Sequence, residues 1–451
     1  MSVLRPYQSD AINNIRNAFR SHKRVLFVCP TGGGKTMIFC EIAKASTKKV
    51  LILAHRKELI EQASERIGID HGIIMSGVAP DYEQRVQIAS VMTMANRLHK
   101  FQPDFIIVDE CHHAVAGSWE KIIRAYPNAF VLGVTATPCR LDGKGLKSAF
   151  DVLIEGPTIK NLISDNYLVK PITYASKNDF TKIKTTAGDY DKKEIFDAFS
   201  KPAITGSAIE SWRKYAEDLP TIVFCINIKH AEDIAGLFSM LGHPSEVVHG
   251  ELDKAERNNR LNRLKTGETK VITSVDIISE GTDIPKVGCI ILMRPTKSLG
   301  LYLQQVGRGL RVVEGKSNCI ILDHAGNCFR HGLVTDDREW ELTNEKIKET
   351  KKMITIRQCK NCFAVFGPLA DKCPECGHVI PKQQKEMKLI AGELVPVDEI
   401  PQKKVQLKQE EWKCHTLAEW ERIAFVRGYK KGWAFIRYTE QQNRQNGNFR
   451  K

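Results

Sequence analysis

The chain has 451 residues, and 67 Lys plus Arg against 53 Asp plus Glu leave a formal charge of +14. With 42% hydrophobic and 27% charged residues the composition is globular, enough for about three domains of roughly 150 residues, which excludes a wholly disordered or fibrous protein. No apolar run approaches the ~18 residues of a membrane span, and the first residues carry charges and Asn where a signal peptide would be apolar. A soluble, cytoplasmic protein with no membrane partner is expected. The charge is uneven: residues 346–451 hold 22 Lys and Arg against 12 acids, whereas the residues before them hold 45 against 41. A neutral body with a basic appendage suits an enzyme carrying a polyanion-binding attachment; the alternative is a tail that only aids solubility. Of 13 Cys, nine are scattered singly and four form two Cys-x-x-Cys pairs, so a secreted disulfide framework is not expected.

Short runs of Val, Ile, Leu and Phe at 25–29, 50–54, 105–108 and 131–134 alternate with amphipathic stretches, which predicts strands of a parallel sheet buried on both faces. The rhythm restarts at 221–225, 246–249, 270–273, 289–292 and 319–322. Two α/β lobes follow, joined near residues 156–171. Behind them come the Cys pairs, a polar stretch with Pro381, Pro396 and Pro401, and a segment holding Trp420, Phe425, Tyr429, Trp433, Phe435 and Tyr438 among basic residues. The expected division is lobe 1 over 1–155, lobe 2 over 156–345, a four-Cys module over 346–385, a linker over 386–411 and a basic aromatic unit over 412–451.

PTGGGKT at 30–36 lies between a predicted strand and an apolar helical pattern, the context of a phosphate loop. Backbone N–H groups around Thr31, Gly32, Gly33 and Gly34 would face the anion, Lys35 would reach the outer phosphates of ATP, and the Thr36 hydroxyl could ligate Mg²⁺. Cys29 stands where the strict pattern has its first Gly. Downstream, a strand ends in the sequence DECH, placing Asp109 to hold Mg²⁺ and Glu110 to polarise an attacking water.

With LRPYQ at 4–8, LAHRKELIEQ from Leu53, ASVMT from Ala89, TATP at 135–138, TSVDIISEGTDIP from Thr273 and QQVGRGLR at 304–311, these motifs stand in the order and spacing of a known family. The chain resembles the superfamily 2 helicases and translocases of the DExH branch over about residues 1–325. The resemblance implies two tandem RecA-like lobes, with Gln8 and Arg5 at the adenine and further nucleotide contacts from His112, Gly281, Asp283 and Gln304. It also implies that Arg308 and Arg311 of lobe 2 act across the cleft as arginine fingers. Nucleic acid would cross both lobes past His55, Arg56, Ser90, Thr93, Asn227, Thr273 and Ser274, any of which could equally be a helix cap or turn residue.

Cys359, Cys362, Cys373 and Cys376 match a tetrahedral Zn²⁺ site in a segment too short to build its own core; a redox pair is the alternative. Lysines around them give a basic surface whose expected partner is DNA, and a purely structural staple remains open. A motor followed by four Cys, with TTAGDYDKKEIFDAF from Thr185 and RGYKKGWAFIRY from Arg427, most resembles the bacterial RadD (YejH)-like DNA repair helicases and their phage relatives. That resemblance implies ATP-dependent action on single-stranded or branched DNA in recombination or repair, with single-strand DNA-binding protein as a partner. An RNA helicase and an ATP-gated annealing scaffold stay as alternatives. The tail aromatics could stack bases or form a small helical core.

Overall fold

The computed structural model describes residues 4–113, 117–139, 145–176, 184–186, 189–199, 202–276, 278, 287–344, 356–380, 414–429 and 432–445. They fall into a large unit ending at Pro381 and a small one after it.

In chain order, lobe 1 contains α1 (Pro6–Ala18), β1 (Arg24–Val28), α2 (Lys35–Ala45), β2 (Val50–Ala54), α3 (Lys57–Ile67), β3 (Gly72–Ile74), β4 (Val86–Ser90), α4 (Val91–Met94), β5 (Phe105–Asp109), α5 (Ser118–Ala125), β6 (Phe130–Thr135) and β7 (Val152–Glu155). The strands form a parallel seven-stranded sheet in the order β3-β4-β2-β5-β6-β1-β7. β2 and β5 are buried along their whole length, which is why they read as unbroken apolar runs. Ile38, Phe39 and Ile42 of α2 pack with Leu59, Ile60 and Ala63 of α3 over one face, and Met94, Trp119 and Ile122 cover the other. The carboxyl ends of β1 and β5 therefore open beside the start of α2, where α/β sheets bind ligands.

Lobe 2 contains α6 (Ile159–Ser164), β8 (Lys170–Ala175), β9 (Thr185–Thr186), β10 (Asp189–Tyr190), α7 (Lys192–Phe199), α8 (Pro202–Ala216), β11 (Thr221–Phe224), α9 (Ile228–Met240), β12 (Ser245–Val248), α10 (Lys254–Thr266), β13 (Val271–Ser274), β14 (Cys289–Leu292), α11 (Leu299–Gly307), β15 (Asn318–Asp323) and α12 (Asn327–His331). Its sheet runs β12-β13-β11-β14-β15-β8 in parallel and then takes two further strands, β17 (Ala364–Phe366) and β16 (Arg357–Gln358), from the four-Cys segment. β17 pairs antiparallel with β8. The stacked Tyr174 and Tyr215 rings, 4.0 Å apart, and a 3.0 Å hydrogen bond from the Tyr215 hydroxyl to the Cys362 carbonyl secure the join. The four-Cys segment thus completes the edge of lobe 2, where the sequence suggested a separate appendage.

A second departure concerns the end of lobe 2. Trp340 and Leu342 pack against the lobe 1 cluster that contains Ile122 and Phe150, and Lys147 N–H donates to the Thr343 carbonyl at 3.2 Å. Residues 338–344 are therefore a strap from lobe 2 back onto lobe 1.

The small unit is a pair of helices, Leu417–Val426 and Trp433–Gln445. Thr416 and Glu419 cap the first helix reciprocally, and the Trp420 indole donates to Gln441 Oε1 at 3.1 Å while its ring meets Trp433 edge-on. Phe425, expected in this core, is 89% exposed, as the hairpin closes on Trp420, Ala434 and Cys414 instead.

Trp212 of α8 is fully buried in lobe 2, donates to Thr221 Oγ1 at 2.7 Å and lies edge-on to Phe238. Trp212→Ala is expected to destabilise lobe 2 by ~3–5 kcal/mol, read as a lower urea midpoint by circular dichroism.

Candidate functional site

The phosphate loop turns out of β1 through Gly32 and Gly34, both at positive φ (86° and 77°), and Gly34 caps α2 in the left-handed region. A side chain at Gly34 would also collide with the Gln8 amide. Gln8 is fixed in turn, because its Oε1 accepts from Arg5 N–H at 2.9 Å. The Tyr7 hydroxyl donates to the Gly33 carbonyl at 3.0 Å, and the Arg5 guanidinium lies 4.6 Å over the Tyr167 ring of lobe 2. The Arg5–Gln8 segment, the glycine-rich loop and lobe 2 are thereby held as one group.

A cavity of about 570 Å³ opens between the lobes, lined from lobe 1 by Gln8, Thr31, Lys35, Thr36, Asp109 and Glu110, and from lobe 2 by Arg308 and Arg311. Lys35 Nζ is 3.9 Å from Glu110 Oε1 and donates to the Cys29 carbonyl at 3.3 Å. Burial, then the charge of Glu110, pushes the Asp109 carboxyl up from its usual range. Burial would raise Glu110 too, but Lys35, His112 and Arg308 together outweigh it and hold this carboxyl down. Two adjacent buried acids shifted in opposite directions, facing one cavity with a lysine and two arginines, mark this strand end as a candidate functional site. Asp109 and Thr36 both face the cavity and offer the oxygen donors that Mg²⁺ prefers.

His112 does not line the cavity. Its Nδ1 lies 3.5 Å from Glu110 Oε2 and 3.3 Å from Thr135 Oγ1, and that hydroxyl donates to the Thr137 carbonyl at 2.9 Å. The DECH strand end and the TATP turn are therefore linked by side chains. Thr137 then meets lobe 2: a Cβ on Gly300, in the first turn of α11, would lie 2.8 Å from Thr137 Oγ1. At the other end of the helix a Cβ on Gly307 would lie 2.7 Å from Thr31 Cβ. Two glycines seven residues apart share a helix face and let α11 lie flush on lobe 1.

Of the other expected nucleotide contacts, Gly33 lends its carbonyl to Tyr7, Gln304 is buried in α11 away from the cavity lining, and Gly281 and Asp283 lie outside the described residues. Leu59, Gln62, Glu65 and Arg66 of α3 also line the cavity, a stripe at helical spacing that the motif reading passed over. Burial, then the like charge of Arg66, lowers the Arg311 guanidinium to about 10.

The expected nucleic-acid contacts divide. His55 and Arg56 are half-buried at the start of α3, with Arg56 reaching the Asp276 carbonyl of lobe 2 at 3.5 Å; Ser90 is the N-cap of α4 and Thr93 lies within that helix, both half-buried. Asn227 caps α9 by accepting from His230 N–H at 2.8 Å. Thr273 and Ser274 must be corrected: both are fully buried in β13, between β11 and β12, and the Thr273 hydroxyl donates to the Ala231 carbonyl at 2.9 Å.

The four Cys sulfurs lie within 4.8 Å of one another, with Cys359–Cys376 and Cys362–Cys373 each at 3.6 Å. Tetrahedral Zn²⁺ with Zn–S bonds of about 2.3 Å needs sulfurs about 3.8 Å apart, so the donor set fits. Each knuckle places the residue after its second Cys at positive φ, Phe363 at 62° and Gly377 at 70°. A Phe held there is strained backbone that only an organised turn sustains.

A family model described as the res subunit of type III restriction enzymes matches residues 1–140, and one described as a helicase conserved C-terminal domain matches residues 204–313. A 51.5 kDa protein of Lactococcus phage (isolate 7-9) is 35% identical over 390 residues, 84% of this chain and 83% of that protein. The DNA 3'-5' translocase XPB2 of Sulfurisphaera tokodaii is 26% identical over 357 residues, 68% of this chain and 78% of its own. Among solved structures, a fragment of a putative HsdR subunit of a type I restriction enzyme from Vibrio vulnificus YJ016 shares the fold, with a TM-score of 0.60 at 24% identity over 74% of this chain and 66% of that one.

Gly307→Val is expected to hold the lobes apart at Thr31 and lower ATP turnover roughly 100-fold in a steady-state assay, with a melting temperature close to that of the parent protein.

Proposed function

The chain belongs to the superfamily 2 helicases and translocases, which hydrolyse ATP, and from that premise we propose that it couples hydrolysis in the interlobe cleft to movement on, or remodelling of, DNA in recombination or repair. The observation that carries this reading is the division of one cavity between two lobes, with Lys35, Thr36, Asp109 and Glu110 on one wall and Arg308 and Arg311 on the other. Backbone N–H groups and Lys35 grip the phosphates. Asp109 and Thr36 would hold Mg²⁺, which supplies charge neutralisation when bound. Glu110 orients the attacking water, and Arg308 and Arg311 stabilise charge developing on the γ-phosphate, a contribution on the order of 10³ to 10⁵ in rate for such fingers. Because the cations and the phosphate loop lie on different lobes, hydrolysis changes what holds the cleft shut, and opening becomes displacement of one lobe against the other.

The route from chemistry to motion runs from Glu110 through His112 and Thr135 to Thr137, on which α11 rests. Thr135→Val is expected to leave ATP turnover within about threefold of the parent while translocation, read by displacement of a streptavidin block, falls at least about tenfold. DNA is favoured over RNA as the track by the name of the archaeal relative, and the basic surplus after residue 345 supports a polyanionic track of either kind. Lys35→Ala and Arg308→Ala are expected to abolish nucleic-acid-stimulated ATPase without unfolding. Stimulation and strand separation measured side by side on DNA and RNA test the reading: stimulation by RNA alone rejects it, and annealing without unwinding supports a scaffold.

The four Cys are proposed to hold Zn²⁺ as the staple of the lobe 2 edge. One zinc per chain by mass spectrometry is the expected stoichiometry, and its removal by a strong chelator should lower the melting temperature of the whole large unit.

A further inference from the structure

We propose that Lys316 is a positioning residue that holds the Arg308–Arg311 segment in its cleft-facing shape. The proposal rests on the reading of those arginines as fingers. α11 ends at Gly307, and the chain tightens through hydrogen bonds from Arg308, Gly309 and Leu310 N–H to carbonyls three residues back. Beyond this turn the carbonyls of Gly309, Leu310 and Arg311 would have no helical partner. All three are engaged. Lys316 Nζ donates to the Gly309 carbonyl at 2.5 Å and to the Arg311 carbonyl at 3.1 Å, while Val169 N–H donates to the Leu310 carbonyl at 2.9 Å from the other side.

The three contacts fix the backbone that carries both guanidiniums. Behind the segment there is no room for drift, since a Cβ on Gly309 would lie 2.9 Å from Ile290 Cγ1. The Arg311 backbone bridges to Leu168, and Leu168 lies against Gly32 of the phosphate loop. An ammonium suits the task because one nitrogen can donate to two carbonyls at once. It also places positive charge where carbonyl dipoles converge at a helix end. Lys316 itself is absent from the cavity lining, so its effect on the reaction runs through the arginines.

Positioning errors near 1 Å cost on the order of 100-fold in rate. Lys316→Met keeps the stem and removes the donors, and Lys316→Arg restores donors. In the full-length protein with single-stranded DNA, Lys316→Met is expected to lower kcat at least ~10-fold with KM for ATP within ~2-fold, and Lys316→Arg to recover most of the loss. In an Arg308→Ala background, single-turnover hydrolysis should fall no further on adding Lys316→Met. A Lys316→Met protein with parental kcat, or one that loses the same factor with and without Arg308, overturns the proposal. If Lys316→Met shows no cooperative melt, Lys316→Arg alone decides, and a folded Lys316→Arg protein with kcat down ~10-fold overturns it. Arg308→Ala alone separates the two levels: parental turnover there removes the finger reading, whereas lost turnover there with a normal Lys316→Met protein removes only the role of Lys316.

Discussion

The contact of α11 with lobe 1 at Thr31 and Thr137 governs the geometry of the cleft, because Arg308 follows the helix directly and inherits its placement. Arg308 is 8% exposed, so its charge acts in a medium far less screening than water. A contact loosened by the width of a methyl group would let water in beside the Arg308 guanidinium. That is why glycine stands at both touching points: a close approach between two rigid surfaces leaves no space for a Cβ. The carboxylate of Glu110 and the packing at Gly300 are joined by three side chains, so that carboxylate and the helix leading into Arg308 belong to one mechanical unit.

The lobes also meet on the flank of α3. Glu58 pairs with Arg257 of α10 at 3.0 Å, and Glu61 pairs with Lys254. These side chains are roughly one-fifth to two-fifths exposed, so each pair is worth about 0–1 kcal/mol. Such weak bridges guide closure without locking it, as a cycling cleft requires. The same helix lines the interlobe cavity with Leu59 and Gln62, so α3 borders both the cavity and the second lobe.

Much of this was legible in the sequence, and for definite reasons. Strands buried on both faces leave long apolar runs, so β1, β2, β5, β6, β11, β14 and β15 announce themselves, and candidate catalytic residues at strand ends are marked by the strands before them. What the sequence conceals is relation across the chain. Nothing near Gly300 marks it as a docking point, since its reason lies at Thr137. Lys316 reads as an ordinary turn lysine until the carbonyls of Gly309 and Arg311 are found at its tip. Thr273 and Ser274 look like phosphate ligands because hydroxyls suit that task, yet β13 lies between β11 and β12 and both side chains are enclosed. The four Cys advertise a metal but not that β17 would pair with β8, because pairing to a strand nearly two hundred residues earlier leaves no local trace.

That pairing bears on how the protein comes into being. β8 is among the first parts of lobe 2 to be synthesised, yet its two neighbours are β15 and β17, ending at Asp323 and Phe366. Its backbone donors and acceptors thus wait on one side until most of lobe 2 has been made, and on the other until the first Cys knuckle has formed. A strand edge kept open that long during translation invites pairing with the wrong chain. The four-Cys segment, the last part of this sheet to be made, works as a late closure for a sheet assembled out of order.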